Sequence, residues 1–205
     1  MKLTPDSRFM LLCSKFVNLA QLNLLWLVCS LPLFTLGAST CAMLSCLTAM
    51  KKEEPSGFKA FFRAFCKYFR QATILWLLMV FLGVMLALDY RIVAYLEFPG
   101  RLAVIGLICF CILGLVLVSG LLFPLLVRYP GSLRDTVVNG VLLSLAHLPK
   151  LLLITGMNLL PVLLLLVLPQ VFVFFSFLLP VCGVSLIALY DLTVAEKSFS
   201  RLEAK

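Results

Sequence analysis

The sequence predicts an all-α membrane protein, a bundle of about six transmembrane helices with amphipathic cytoplasmic helices and both termini inside. Three observations predict it. All Lys, Arg, Asp and Glu residues fall in five short windows: 1–15, 51–70, 89–101, 128–150 and 191–205. The stretches between them, 16–50, 71–88, 102–127 and 151–190, carry no charge. Composition agrees, with 63% hydrophobic and 13% charged residues, against roughly 45–50% and about 25% in an average soluble domain. A soluble surface needs charge to stay hydrated and dispersed. A chain that crosses a bilayer must keep charge out of its spans, because a lone charge at mid-membrane costs several kcal/mol.

A hydrocarbon core of about 30 Å takes roughly 20 helical residues. The chain therefore reads as one transmembrane domain, 1–205, with spans near 9–31, 37–50, 71–90, 102–127, 150–168 and 170–190. Segment 151–190 is too long for one span and is divided at Leu168-Pro169-Gln170, where the proline ends the helix. Segment 16–50 is divided at Ser30–Thr40, SLPLFTLGAST, which holds a proline, a glycine and several hydroxyls. Crossing once would put windows 1–15 and 51–70 on opposite sides. Their net charges, +2 and +4, place both inside by the positive-inside rule. The second half, 37–50, is short for a bilayer, which leaves a thinned, tilted or re-entrant course open. Six crossings leave only Arg91 and Arg101 of the 17 Lys and Arg outside.

Window 51–70 holds the clearest local pattern. At 100° per residue, Phe58, Phe61, Phe62, Phe65 and Phe69 fall within about 60° of one axis. Lys59, Arg63, Lys67 and Arg70 take the flank and the opposite face. Glu54-Pro55-Ser56 supplies cap and first-turn residues. A helix over 56–70 of this kind lies in the membrane interface, or docks a cytosolic partner through the same residues. Window 128–150 repeats the theme. Ser132 and Asp135 form a capping box, after which Val137, Val138, Val141, Leu145 and Leu148 face one way and Asp135, Thr136, Asn139 and His147 the other. Asp135, Gly140 and Leu148-Pro149 echo the coupling loop of ABC-importer permeases. The glycine-to-proline spacing is too short and the EAA element is missing, which argues against such a permease.

The sequence holds no catalytic constellation. The eight cysteines show no CxxC pair and no histidine at metal spacing, so they read as small packing residues, with no metal and no cofactor expected. His147, the only histidine, has no acidic partner one turn away. Nucleic-acid binding is not expected, because the +8 net charge is parcelled into windows beside apolar spans. A helix-like TPDSRF and the lack of an A-x-A site argue against a cleaved signal peptide. Polar groups within the spans are amides and hydroxyls. Asn18, Gln21 and Asn158 are expected to make interhelical hydrogen bonds, worth about 0.5–2 kcal/mol each. Gly83 and Ala87, at i and i+4, read as a close helix contact.

Leu22–Thr40, LNLLWLVCSLPLFTLGAST, resembles the opening signature of the YesL family, NLLWL…SLP followed by T-x-G-A-x-T. Gly57–Leu77, GFKAFFRAFCKYFRQATILWL, is similar to that family's FF-x-x-F…NFKQATILWL segment, and FPLL at Phe123–Leu126 and LAHLP at Leu145–Pro149 continue the resemblance. The phenylalanine-rich stretch Phe172–Phe177 departs from it. The resemblance implies a bacterial polytopic protein of the cytoplasmic membrane, encoded beside carbohydrate ABC-importer components. It implies an accessory subunit whose partners are the bilayer and permease subunits, and it supplies no catalytic residues. A stand-alone channel or facilitator for a neutral solute is the alternative expectation.

Overall fold

The computed structural model describes residues 8–54, 56–129 and 131–146, with the isolated positions 149, 152, 155, 156 and 188. Among the described residues there are helices and no strand. In chain order they are α1 (Arg8–Ser30), a 3-10 turn (Leu33–Thr35), α2 (Leu36–Lys51), α3 (Phe58–Tyr95), α4 (Arg101–Arg128) and α5 (Leu133–Ala146). Among the described residues, three stretches are long and apolar enough to cross a membrane: Leu33–Lys51, Phe58–Tyr95 and Arg101–Arg128. The expected spans 150–168 and 170–190 lie outside the described residues apart from positions 152, 155, 156 and 188.

Each boundary has a local cause. α1 stops at Ser30 because Pro32 lacks an N–H and holds Leu31 out of the helical region. The chain then turns on the Thr35 N–H to Pro32 carbonyl bond, 2.9 Å. α2 ends in a Schellman motif: Glu54 N–H reaches Ala49 O at 2.9 Å and Glu53 N–H reaches Met50 O at 3.2 Å. Glu53 takes the left-handed position of that motif, φ 59°. α3 starts from Gly57, which offers no side-chain cap, so Glu54-Pro55-Ser56 does not cap it as expected. Gly100, φ 96°, turns α3 into α4 and needs glycine for that reason. Arg101 clamps the same turn by donating to Ala94 O at 2.6 Å. Pro124 sits buried inside α4 without ending it, as membrane helices tolerate when neighbours support the freed backbone.

α3 departs most from expectation. Its 38 residues join the expected interfacial helix 56–70 and the expected span 71–90 without a break, giving a rod about 57 Å long. α2 lies antiparallel along the first half of that rod. The short connection 52–57 joins their ends, and α2's first turn meets α3 at Ala72 and Trp76. α1 folds back along α2, and α4 returns along α3, where Trp76 and Phe123 rings lie 6.5 Å apart.

The core forms where small residues let helices approach. Ala38, Cys41, Ala42, Met43, Leu44, Cys46 and Leu47 of α2 are buried with Phe61, Ala64, Tyr68 and Ala72 of α3, Leu22 of α1 and Leu126 of α4. A Cβ on Gly37 would fall 2.5 Å from Ala72 O and 2.8 Å from Trp76 Cβ. A Cβ on Gly140 would fall 2.5 Å from Leu122 Cδ2. These two glycines make the close approaches. The contact expected at Gly83 and Ala87 is ordinary, since a Cβ on Gly83 would sit 3.7 Å from Leu115 and Ala87 is exposed.

α5 buries Thr136, Gly140, Leu143 and Ser144 and exposes Val138, Val141, Leu142 and Leu145. The small, hydroxyl-bearing stripe faces protein and much of the branched stripe faces outward. That polarity suits lipid, where apolar packing gains nothing over acyl chains and close backbone approach decides the interface. Beyond Trp76 the α3–α4 pair is outward-apolar too, exposing Leu77, Phe81, Val84, Met85, Leu88, Leu107 and Phe110.

Candidate functional site

Residues 58–70 build the first candidate surface. The buried stripe of α3 is Phe61, Ala64, Tyr68, Ala72 and Leu75. It is centred about 80° around the helix from the axis of the five phenylalanines. The aromatic ridge therefore straddles the edge of the buried face. Phe61 is fully buried, whereas Phe58 is 55% exposed, Phe62 39% and Phe69 38%. Phe65 is half-buried between them. The rings form a ladder, with centroids 4.8 Å apart for Phe58–Phe62 and 5.5 Å for Phe65–Phe69.

Lys59, Arg63, Lys67 and Arg70 are all exposed, on the side away from the core. Lys67 Nζ lies 4.9 Å from the Tyr68 ring centroid, and the Tyr68 hydroxyl donates to Val127 O at 3.3 Å. The helix thus presents an exposed aromatic edge beside a basic face, on a rod fixed to the core through Phe61 and Tyr68. Such an edge can bury its rings and neutralise anionic groups at the same time.

A second surface lies at the α4–α5 turn. A cleft of about 310 Å³ is lined by Leu125, Arg128, Tyr129, Gly131, Asp135, Thr136 and Asn139. Ser132 caps α5: the Asp135 N–H donates to its Oγ at 3.2 Å, and Oγ donates to Asp135 Oδ2 at 2.6 Å. The expected pairing is present, with the serine hydroxyl rather than its backbone N–H meeting the carboxylate. Gln71 donates to Gly131 O at 3.1 Å, so this turn stands level with the end of the basic face.

The third constellation is the α1–α2 turn. The Trp26 indole donates to Thr40 Oγ1 at 3.2 Å, and Thr40 donates to Leu36 O at 2.7 Å. Ser30 and Ser39 hydroxyls are 2.6 Å apart, and Ser39 donates to Leu36 O at 3.0 Å. The single Thr35 hydroxyl proton reaches Cys29 O or Pro32 O. Trp76 of α3 donates to Leu33 O at 2.9 Å.

Two of the three amides expected to join helices lie among the described residues. Asn18 is half-buried and Gln21 exposed, and Asn158 and His147 lie outside the described residues. Among the described residues, Trp26, Ser30, Ser39, Tyr68, Gln71 and Trp76 carry hydrogen bonds between elements. The interruption SLPLFTLGAST marked the place but not the tryptophans. The seven described cysteines are free thiols. No group of three metal-ligating residues occurs among the described residues.

Long apolar helices, close helix approach at small residues and an outward-apolar surface define a membrane protein that is all-helical among the described residues. Residues 19–90 match the family described as "Protein of unknown function, DUF624". The matched stretch holds most of α1, the α1–α2 turn, α2 and α3 as far as Tyr90. No curated protein and no solved structure matches the chain.

Proposed function

We propose that the protein is an accessory subunit of the bacterial cytoplasmic membrane that works through contact rather than catalysis. Its partners would be the permease subunits of a carbohydrate ABC importer, with both of its termini in the cytoplasm. The observation that carries the contact reading is the aromatic edge of α3. Phe58, Phe62 and Phe69 stay substantially exposed beside four cations, on a helix whose neighbouring face is fixed in the core. Exposed rings cost solvation free energy unless lipid or protein covers them. The importer and the sugar enter through the resemblance of Leu22–Thr40 and Gly57–Leu77 to the YesL family. The non-enzymatic reading rests on the sequence, whose charge-free segments hold no Asp, Glu, Lys, Arg or His.

The test is purification of the tagged protein from its native membranes in mild detergent, followed by mass spectrometry. Permease subunits should accompany the wild-type chain and be lost from a Phe58→Ser/Phe62→Ser variant that still elutes as a folded species. Uptake of a neutral solute by proteoliposomes holding this chain alone would favour the facilitator reading instead.

A further inference from the structure

We infer that the α1–α2 hairpin is re-entrant. It enters the bilayer from the side of the α1 start at Arg8 and of window 51–70, turns among the acyl chains at Leu31–Thr35, and leaves by the same side. The orientation proposed above serves only to name that side as the cytoplasm.

Register is the first reason. The hairpin tip is pinned to the middle of α3, by Trp76 on Leu33 O at 2.9 Å and by Gly37 against Ala72 and Trp76. From Trp76, α3 runs on to Tyr95, a further ~28 Å. A hairpin that crossed beside α3 would turn level with the α3–α4 turn. This one turns about one bilayer thickness short of it.

Charge gives the second reason. Arg70 and Asp89 bound the uncharged part of α3, ~28 Å apart along the helix, close to the ~30 Å of a hydrocarbon core. The α4–α5 turn, with Arg128 and Asp135, stands at the Arg70 level through the Tyr68–Val127 and Gln71–Gly131 bonds. Trp76 lies only ~9 Å beyond Arg70. The tip therefore ends in the nearer leaflet.

The third reason is the chemistry of the turn. Leu31 is 77% exposed, Leu33 75% and Phe34 51%, so large apolar side chains crown it. Its polar groups point inward instead. The carbonyls of Cys29 or Pro32, Leu33 and Leu36 accept from Thr35, Trp76, Ser39 and Thr40. Backbone in hydrocarbon requires such internal partners, and backbone in water does not. The α3–α4 turn has the opposite character, with Glu97, Gly100 and Arg101. Acyl chains are the occupant that fits the first turn and not the second. One crossing then replaces the three expected within residues 1–95, and the parity that sets the sidedness of later windows is unchanged.

The chain has two tryptophans, and both are at this turn, which makes the native protein its own probe. In proteoliposomes of the full chain, emission should be blue-shifted and insensitive to iodide. Phospholipids brominated at mid-chain should quench it several-fold more than phospholipids brominated near the headgroup. In cells, Leu33→Cys should add no labelling by a membrane-impermeant maleimide over the parent chain from either side. Lys52→Cys should label from the cytoplasmic side and Glu97→Cys from outside. External labelling of Leu33→Cys would mean a full crossing and overturn the inference. Iodide quenching with cytoplasmic labelling of Leu33→Cys would mean no insertion and overturn it too. Exchange of sides between Lys52→Cys and Glu97→Cys, with Leu33→Cys still silent, would overturn the orientation alone.

Discussion

Trp76 donates its indole N–H to the carbonyl of Leu33 at 2.9 Å, joining α3 to a turn 43 residues earlier in the chain. Without the indole that carbonyl would have no donor from outside its own turn. Trp76→Phe keeps a ring against Phe123 and removes the donor. It should cost about 0.5–1.5 kcal/mol, the net contribution of one hydrogen bond. Thermal unfolding in detergent will show it, with Phe123→Leu as the packing comparison.

Gly37 and Gly140 are predicted to differ although both lack room for a Cβ. At Gly37 the obstacles are the Ala72 carbonyl and the Trp76 Cβ, neither of which can swing away. Gly37→Ala should destabilise by about 1–3 kcal/mol through forced separation of α2 and α3. At Gly140 the obstacle is the end of the Leu122 side chain, which can change rotamer, so Gly140→Ala should cost less. Gly83→Ala should be nearly neutral or slightly stabilising, because an interior helical glycine costs about 0.5–1 kcal/mol relative to alanine. Denaturation midpoints of the three variants should fall in that order.

Glu53 occupies a left-handed position, φ 59°, where a side chain costs roughly 1–2 kcal/mol. Glu53→Gly should therefore raise stability by about 1 kcal/mol. Glu53→Ala separates conformation from charge: it keeps the backbone cost and should leave stability within about 0.5 kcal/mol of the parent.

The phenylalanine ladder should divide into structural and surface rungs. Phe61 is fully buried, and Phe61→Ala should cost about 3–5 kcal/mol. Phe58→Ser and Phe62→Ser should leave the unfolding midpoint of the full chain nearly unchanged while weakening a partner complex. A peptide covering 54–70 should bind anionic vesicles, and the same two changes should weaken that binding. Lys59→Gln with Lys67→Gln should weaken it too and flatten its salt dependence, since each cation near an anionic surface contributes about 1 kcal/mol. Vesicle flotation with the peptide at low and high salt will separate these effects.

Ser132 caps α5 through the Asp135 N–H at 3.2 Å. Ser132→Ala should cost about 1 kcal/mol and loosen the wall of the α4–α5 cleft. Hydrogen exchange at residues 133–136 is the local readout.

Much of the helical architecture is legible in the residue pattern. Charge confined to windows announces the membrane, and helices there follow from the need to satisfy backbone groups internally. The breaks at Pro32 and at 52–57, and the Ser132–Asp135 cap, are local signals and occur at the expected places. The continuity of α3 is not legible in the same way. A change from amphipathic to uniformly apolar composition near residue 70 looks like a boundary, but a helix propagates through any stretch without a breaker. Pro124 shows the converse, a breaker held inside a helix by its surroundings.

What the sequence by itself determined is the solvent: a chain with these apolar runs must be helical and must place them in lipid. Only the tertiary structure decided register and contact. Which glycine is pressed against a backbone, which phenylalanine is buried and how far the α1–α2 hairpin reaches along α3 depend on residues far apart in the chain meeting at a few ångströms. Gly83 and Gly37 are equally small in sequence, and Phe61 and Phe62 equally apolar. The α2–α3 packing register, set by Gly37 on Ala72 and by Trp76 on Leu33, separates them.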